Sequence, residues 1–365
     1  MIDWITLVVP CRHPKLINDG AFQRIKAGGD VEWISHKRLQ VKGSFDSAVS
    51  VRSATWVGDW CEDGNGASHI EISGNLAKFF QGHNLWGTDD LHGLVWEFLR
   101  WLTNRDLHCE SRMVTPTESD IAAWRAGDYS LSRVDVTNSF HLPTRADVLT
   151  WLRAAESTAH LSHRGRGQLV KGSTLYFGQH SRRWSLKLYA KGQEIEAVGH
   201  GQESILRLPS ALAWADRSLR AELVLRGMEL RRRGLATGLA WRVLHDEAVD
   251  CSVSAAMLQP ILGAMTMTTT GELPADVFDS LTPSQRLAFL AWQAGHDLRS
   301  TLSNGSFYRL RGKLLPHGVD IATLQPKEAT NVIPLVRFLE AVPAPIPDWA
   351  EGTALYFQPR AIRAA

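Results

Sequence analysis

The chain has 365 residues, 44% hydrophobic and 21% charged, which fits a folded protein of one large domain or two ordinary ones and excludes a disordered chain. No run of 18 or more apolar residues occurs, so neither a membrane span nor a membrane partner is expected. A formal net charge of +2 excludes little by itself.

The opening MIDWITLVVP carries Asp3 where a secretory leader would be basic, and Pro10 ends its apolar run; residues 4–10 read as a strand. Short β-branched and aromatic runs over 31–43, 48–57 and 68–74 predict further strands, and EDGNGA at 62–67 reads as a hairpin turn. Residues 88–106 form an amphipathic helical pattern, with Thr88 as a cap and Leu91, Val95, Phe98 and Leu102 on one face. Strand 130–140 and helix 144–155 follow, then strands 173–179 and 183–190 joined by a short hairpin, and a strong strand over 218–227. After Leu235 the pattern becomes helical, with Thr282 and Pro283 opening one helix, and from Pro343 the chain is proline-rich. The expected architecture is α+β: a mainly antiparallel sheet with helices on one face, plus a smaller C-terminal helical domain. The expected divisions are 1–236, 237–330 and a tail over 331–365.

Cys11, Cys61, Cys109 and Cys251 lie far apart with no CxxC pair, which points to a reduced cytoplasm and away from structural zinc. No phosphate-binding loop of the Walker type is present.

Strand alternation assigns faces. Ile70 and Ile72 point one way and His69 and Glu71 the other; Val134 and Val136 oppose Arg133 and Asp135. Ala221, Leu223 and Leu225 oppose Arg220 and Glu222, while Leu186 and Leu188 oppose Ser185, Lys187 and Tyr189. Each polar residue alone fits the wet side of a sheet. Three acids and a tyrosine on such faces fit a site in which carboxylates hold Mg²⁺ or Mn²⁺ and a phenol attacks phosphorus. Lys191, two residues beyond Tyr189, is the candidate cationic helper; Glu194 and Glu196 read as helix surface.

From Ser157 to Gln193 there is no acidic residue, while Arg164, Arg166, Lys171, Arg182, Arg183, Lys187 and Lys191 supply seven cations. That stretch fits a solvated basic face or a nucleic-acid groove. SNGSFYRLRGKLLPHG, with Arg309 and Arg311, fits a helix contacting duplex DNA or a packing domain with a basic exterior.

QGHNLWGTDDL (81–91), LSRVDVTNSF (131–140), LYAKGQEIE (188–196), LRAELVLRGMELRRRGL (219–235) and NVIPLVRFLEAV with a later PDW (331–342, 347–349) resemble, in order, the filamentous bacteriophage replication initiators, the gene II/X family. IEISGN, SRVDVT, LYAKGQE and LRAELVL are more distantly similar to the replication initiation factors of rolling-circle plasmids. The resemblance implies a site- and strand-specific nicking and closing endonuclease that starts rolling-circle replication in the cytoplasm of a bacterial host, on the phage origin, with host helicase and polymerase as partners. It implies that Tyr189 is the nucleophile and that strand acids hold the metal. The His-hydrophobe-His pair of many rolling-circle nucleases is absent, so ligation by Glu71, Asp135 and Glu222, with His69 as a possible fourth ligand, rests on face and motif. A hydrolytic metal nuclease with Tyr189 as packing, and a non-catalytic DNA-binding or repressor protein, are the competing readings. Tyr176 is either a second participant in circle closure or a packing residue.

Overall fold

In a computed structural model of the chain, the described residues are 1–13, 17, 20–45, 47–54, 67–104, 114–197, 202–248, 252–267, 273, 275–317, 319–322 and 342–362. The turn expected at 62–67 lies outside them except for Ala67, as do Cys61, Cys109, Cys251 and residues 331–341.

The strands in chain order are β1 (Ile2–His13), β2 (Ala21–Ile25), β3 (Val31–His36), β4 (Leu39–Lys42), β5 (Ala48–Ala54), β6 (Ala67–Gly74) and β7 (Ser130–His141). After these come β8 (Ala159–Leu161), β9 (Gly165–Arg166), β10 (Gln168–Val170), β11 (Thr174–Phe177), β12 (Trp184–Ala190), β13 (Ser218–Arg226) and β14 (Met265–Met267). Among the described residues nine of them form one sheet in the order β10-β11-β12-β13-β7-β1-β6-β5-β4. Every neighbouring pair in it is antiparallel.

The alternation places Ile5, Leu7, Ile72, Val134, Val136, Leu186, Leu188, Leu223 and Leu225 in one core. Helix Arg145–Thr158 covers that face under β10 to β13, Glu118–Ala126 under β1 and Val253–Gly263 under β7. Leu91, Val95, Phe98 and Leu102 of helix Leu91–Asn104 are buried in the same core. Thr144 caps its helix as the sequence indicates, its side chain accepting from the Asp147 N–H.

Two expectations change. Trp241, Val253, Leu258 and Leu262 belong to the main core, because their helices pack on Leu91–Asn104 and β7; the sheet unit therefore extends past residue 236. A separate core follows, built from Leu281, Phe289, Trp292, Phe307, Leu310, Leu314 and Ile321. The run 31–43 is not one strand: its first part leaves the main sheet as β3 and pairs with β2 across the Gly28–Gly29 turn, and only β4 joins the sheet.

A third cluster, with Leu85, Trp86, Ile195, Ile205, Trp214 and Ala350, gathers at the end of the sheet where β12 stops. The described tail packs into it through Ala344, Ile346 and Tyr356, and Phe357 stacks on Phe80 at 4.3 Å between ring centroids. No helix among the described residues is long and apolar enough to cross a membrane.

Candidate active site

Register carries the polar residues onto one face. Lys187 is opposite Glu222, Tyr189 opposite Arg220, Glu222 opposite Thr137, and Val224 opposite Asp135. On the β11 side Tyr176 is opposite Lys187, so both tyrosines lie on this face of adjacent strands.

Tyr189 is nevertheless 2% exposed. The loop after helix Leu76–Gln81 closes over it: Arg220, itself buried, donates to the carbonyls of Asn84 and Leu85. Asn84 Oδ1 accepts from Lys191 Nζ at 2.7 Å and from Gln202 Nε2 at 2.8 Å, and its Nδ2 donates to Asp3 Oδ1 at 3.0 Å. Asp3 also accepts from Asn75 at 2.7 Å. A bulge between Ile2 and Trp4 brings Asp3 into the cluster.

Lys187 Nζ lies 4.0 Å from the Tyr189 ring centroid and 3.1 Å from Glu222 Oε2. Burial opposes its charge, but Glu222 outweighs that and raises the ammonium above its ordinary range. Lys191 is farther, 6.0 Å from the ring centroid. It is fully buried, and burial pulls its pKa down to about 8 against the opposing charge of Glu194, whose Oε2 accepts a hydrogen bond from it at 2.6 Å. Glu194 is thus part of this network and not free helix surface. Glu196 pairs with Arg145 at 2.7 Å. Burial, then the Glu222 charge, holds the Tyr189 phenol well above its ordinary value, so in this conformation the phenol is protonated.

Asp135 is buried and held by Arg133, whose Nε donates to Oδ1 at 2.9 Å. Burial pushes its carboxyl up to about 7; Arg133 pulls the other way and Glu222 adds to the rise. Thr137 Oγ1, level with Glu222, is buried and has no hydrogen-bond partner among the described residues.

Glu71 does not join them. It shares the polar face but is level with Val8 on β1, whereas Asp135 is level with Trp4. That offset of four residues is about 13 Å along the strand, with two strand spacings between β7 and β6. Glu71 instead accepts from Arg38 Nε at 2.8 Å and Arg52 Nη2 at 2.7 Å. Burial alone would raise its pKa, but the two arginines hold its carboxyl below the usual range. His69, beside it, bonds Ser68 Oγ at 2.9 Å.

Among the described residues no three His, Cys, Asp or Glu side chains form a metal-holding group, so the expected three-carboxylate set is not assembled. Asp135 and Glu222 alone still suit a hard cation, which is commonly held by one or two carboxylates plus substrate phosphate. The unpartnered Thr137 hydroxyl beside them completes an all-oxygen donor set.

The basic residues divide. Arg182 and Arg183 are exposed in the β11–β12 turn, at the end of β12 away from Tyr189. Arg164 stacks over Trp184 at 4.1 Å near that end. Arg226, cross-strand from Arg133 on the polar face, extends the same cationic end and was not singled out by sequence, whereas Arg133 is held by Asp135. Lys171 is exposed in the β10–β11 turn, near the Tyr189 end. Arg166 is turned to a structural contact, donating to the Glu156 carbonyl at 3.0 Å. Arg309 is exposed, but Arg311 is not available to DNA: its Nε and Nη2 bond the buried Asp320 at 2.7 and 2.9 Å.

Asp3 and Asn84 were missed as site residues. Asp3 stands on a strand whose alternation alone does not predict a bulge, whereas Asn84 falls within the QGHNLWGTDDL block.

Comparison with known proteins agrees over most of the chain. Residues 1–243 match the family described as the N-terminal part of the phage replication-associated protein, and residues 280–355 match the family described as its C-terminal part. The replication-associated protein of Enterobacteria phage I2-2 is 36% identical over 356 residues, covering 95% of this chain and 96% of its own length. A solved structure of a rolling circle replication initiator protein from Geobacillus stearothermophilus aligns over 89% of this chain and 98% of its own, at 12% identity and a TM-score of 0.26.

Proposed function

This chain belongs to the phage replication-associated protein family, and from that membership we propose that it nicks phage DNA at an origin and so initiates rolling-circle replication. The observation that carries the chemistry is the shared face of β12, β13 and β7, with Tyr189 beneath the Lys187 ammonium, Lys187 bonded to Glu222, and Asp135 one further step along the same face beyond Glu222.

In the proposed reaction the phenol proton passes to water as the phosphodiester reaches Tyr189. Tyr189 Oη then bonds to phosphorus, and the bond from phosphorus to the 3′ oxygen breaks. The departing oxygen takes a proton from water, leaving a free 3′-OH and a 5′-phosphotyrosine. Closure reverses the exchange: a 3′-OH attacks the phosphotyrosine and Oη leaves. Lys187 offsets the charge that develops on the phosphate oxygens. Mg²⁺ or Mn²⁺, when bound, would be held by Asp135 and Glu222 and would polarise a phosphate oxygen. The Arg182, Arg183 and Arg226 end would follow the DNA backbone. Replication would then proceed with the host's helicase and polymerase in the bacterial cytoplasm.

The burial of Tyr189 favours one rival, a hydrolytic nuclease in which the ring only packs. Supercoiled phage replicative-form DNA incubated with the protein and Mg²⁺ separates the two. The proposal expects nicked circles whose 5′ end stays on a Tyr189 peptide, and no nicking by Tyr189→Phe. Nicked product with no protein adduct, or a Phe variant that nicks at a comparable rate, would establish hydrolysis instead.

A further inference from the structure

The β2–β3 ribbon stands apart from the nine-stranded sheet. Every residue of β2 is exposed, and Phe22, Ile25, Val31, Trp33 and Ile34 remain 48% to 63% exposed within thirteen residues of chain. A lone two-stranded ribbon is marginal in water, and apolar side chains concentrated in this way mark a surface that is covered in use.

Charge and shape identify what covers it. From Gly20 to Lys37 the ribbon carries Arg24, Lys26 and Lys37 against Asp30 and Glu32, a surplus of one positive charge, with Arg38 at its base paired to Glu71. Register places Phe22 opposite Ser35 and Arg24 opposite Trp33, so Phe22, Arg24 and Trp33 share one side. Arg24 meets Glu32 in an exposed pair at 2.9 Å, a type of contact that costs little to exchange. The tip is narrow: Gly28 and Gly29 make the turn, and Gly29 takes φ +91°, the left-handed region open to glycine. A two-stranded ribbon of this width enters the major groove of B-DNA, where cations meet phosphates and aromatic or apolar groups meet base edges.

Position agrees. At the base of the ribbon the Lys37 N–H donates to the Gly20 carbonyl at 2.9 Å, and the next residue, Arg38, bonds Glu71 on the polar face. Glu71 therefore anchors the ribbon to the face that holds Tyr189. Four strand spacings separate β6 from β12. That is about 19 Å across the sheet, or about six base pairs of duplex.

We propose that the β2–β3 ribbon docks in the major groove of the duplex flanking the nick, so that duplex is gripped at one side of the sheet while the cut strand lies at the other. This rests on the DNA-nicking reading above. The test measures fluorescence anisotropy with a fluorescein-labelled 30-base-pair duplex and a 30-nucleotide single strand, comparing the wild-type protein with a Phe22→Ala, Arg24→Ala, Trp33→Ala variant. The variant should lose tenfold or more in duplex affinity and stay within twofold on the single strand. In the wild-type protein, ribbon amides should gain hydrogen-exchange protection with duplex and not with single strand, a readout that needs no variant. Unchanged duplex affinity, or parallel loss on both probes, overturns the proposal. So does a loss of self-association with duplex binding intact, which would make the ribbon a contact between two copies of this chain. A wild-type protein that binds neither probe would instead defeat the DNA-nicking reading itself.

Discussion

Lys187 joins Tyr189 to Glu222: its Nζ lies 4.0 Å from the phenol ring centroid and 3.1 Å from the Glu222 carboxylate. From sequence this lysine is one cation in a basic stretch, yet it lies closer to the Tyr189 ring than Lys191 does, at 4.0 Å against 6.0 Å from the centroid. Lys191, the neighbour expected to help the phenol, spends its charge on Asn84 and Glu194.

Lys187→Met should therefore slow cleavage more than it weakens binding. The loss expected is about a hundredfold in the single-turnover rate on a single-stranded oligonucleotide, with affinity changed less than threefold. Equal losses in rate and affinity would return Lys187 to the role of a phosphate contact.

Glu71 should separate from the other two acids. Asp135→Asn and Glu222→Gln are expected to abolish cleavage supported by Mg²⁺, and excess EDTA to do the same to the native protein. Glu71→Gln should leave cleavage of a short single strand within about threefold, because it loosens only Arg38 and Arg52. Abolition of cleavage by Glu71→Gln would restore it to the metal set.

How far the sequence reaches is visible in these same residues. Period-two alternation places Glu71, Asp135, Glu222 and Tyr189 on one face, and the register bears that out. Alternation says nothing about height along a strand, and height removes Glu71 from the cluster. Nor does it show that Asn84 and Leu85 return from a distant loop to cover Tyr189, since that contact depends on Arg220 reaching their carbonyls. Asp3 enters through a bulge, a one-residue slip without a mark in the local pattern. Arg311 reads as a DNA contact because its partner, Asp320, lies beyond the helix that bears it.

Lys191 makes stability depend on pH. Its folded pKa, about 8, lies below its ordinary value of 10.5, so the fold favours the neutral amine. Its contribution is full above the ordinary value and is lost as pH falls through about 8. Wild-type protein should therefore gain melting temperature relative to Lys191→Met as pH rises from 8 to 10.5. Thermal melts across that range provide the check; a constant difference would mean that the amine is hydrated in solution.

Arg182 and Arg183 should act through the phosphate backbone. Replacing both with alanine should weaken binding to unrelated single strands and origin DNA alike, and reduce the slope of log K against log[salt] by about one to two. Loss confined to origin DNA with an unchanged slope would show instead that they read bases.

Arg309 and Arg311 differ by two positions on one helix and should behave as opposites. Arg311→Ala leaves the Asp320 carboxylate buried without its guanidinium, and should cost the C-terminal helical core about 3 kcal/mol in denaturant unfolding. Arg309 is exposed, so its alanine variant should unfold within about 0.5 kcal/mol of wild type. Any DNA contact made by this helix must then pass through Arg309 and its exposed neighbours Tyr308 and Lys313. Arg309→Ala is expected to weaken double-stranded origin binding while sparing cleavage of a short single strand. No effect on either would leave the helix as packing alone, and loss of stability in Arg309→Ala comparable to Arg311→Ala would contradict the placement of both.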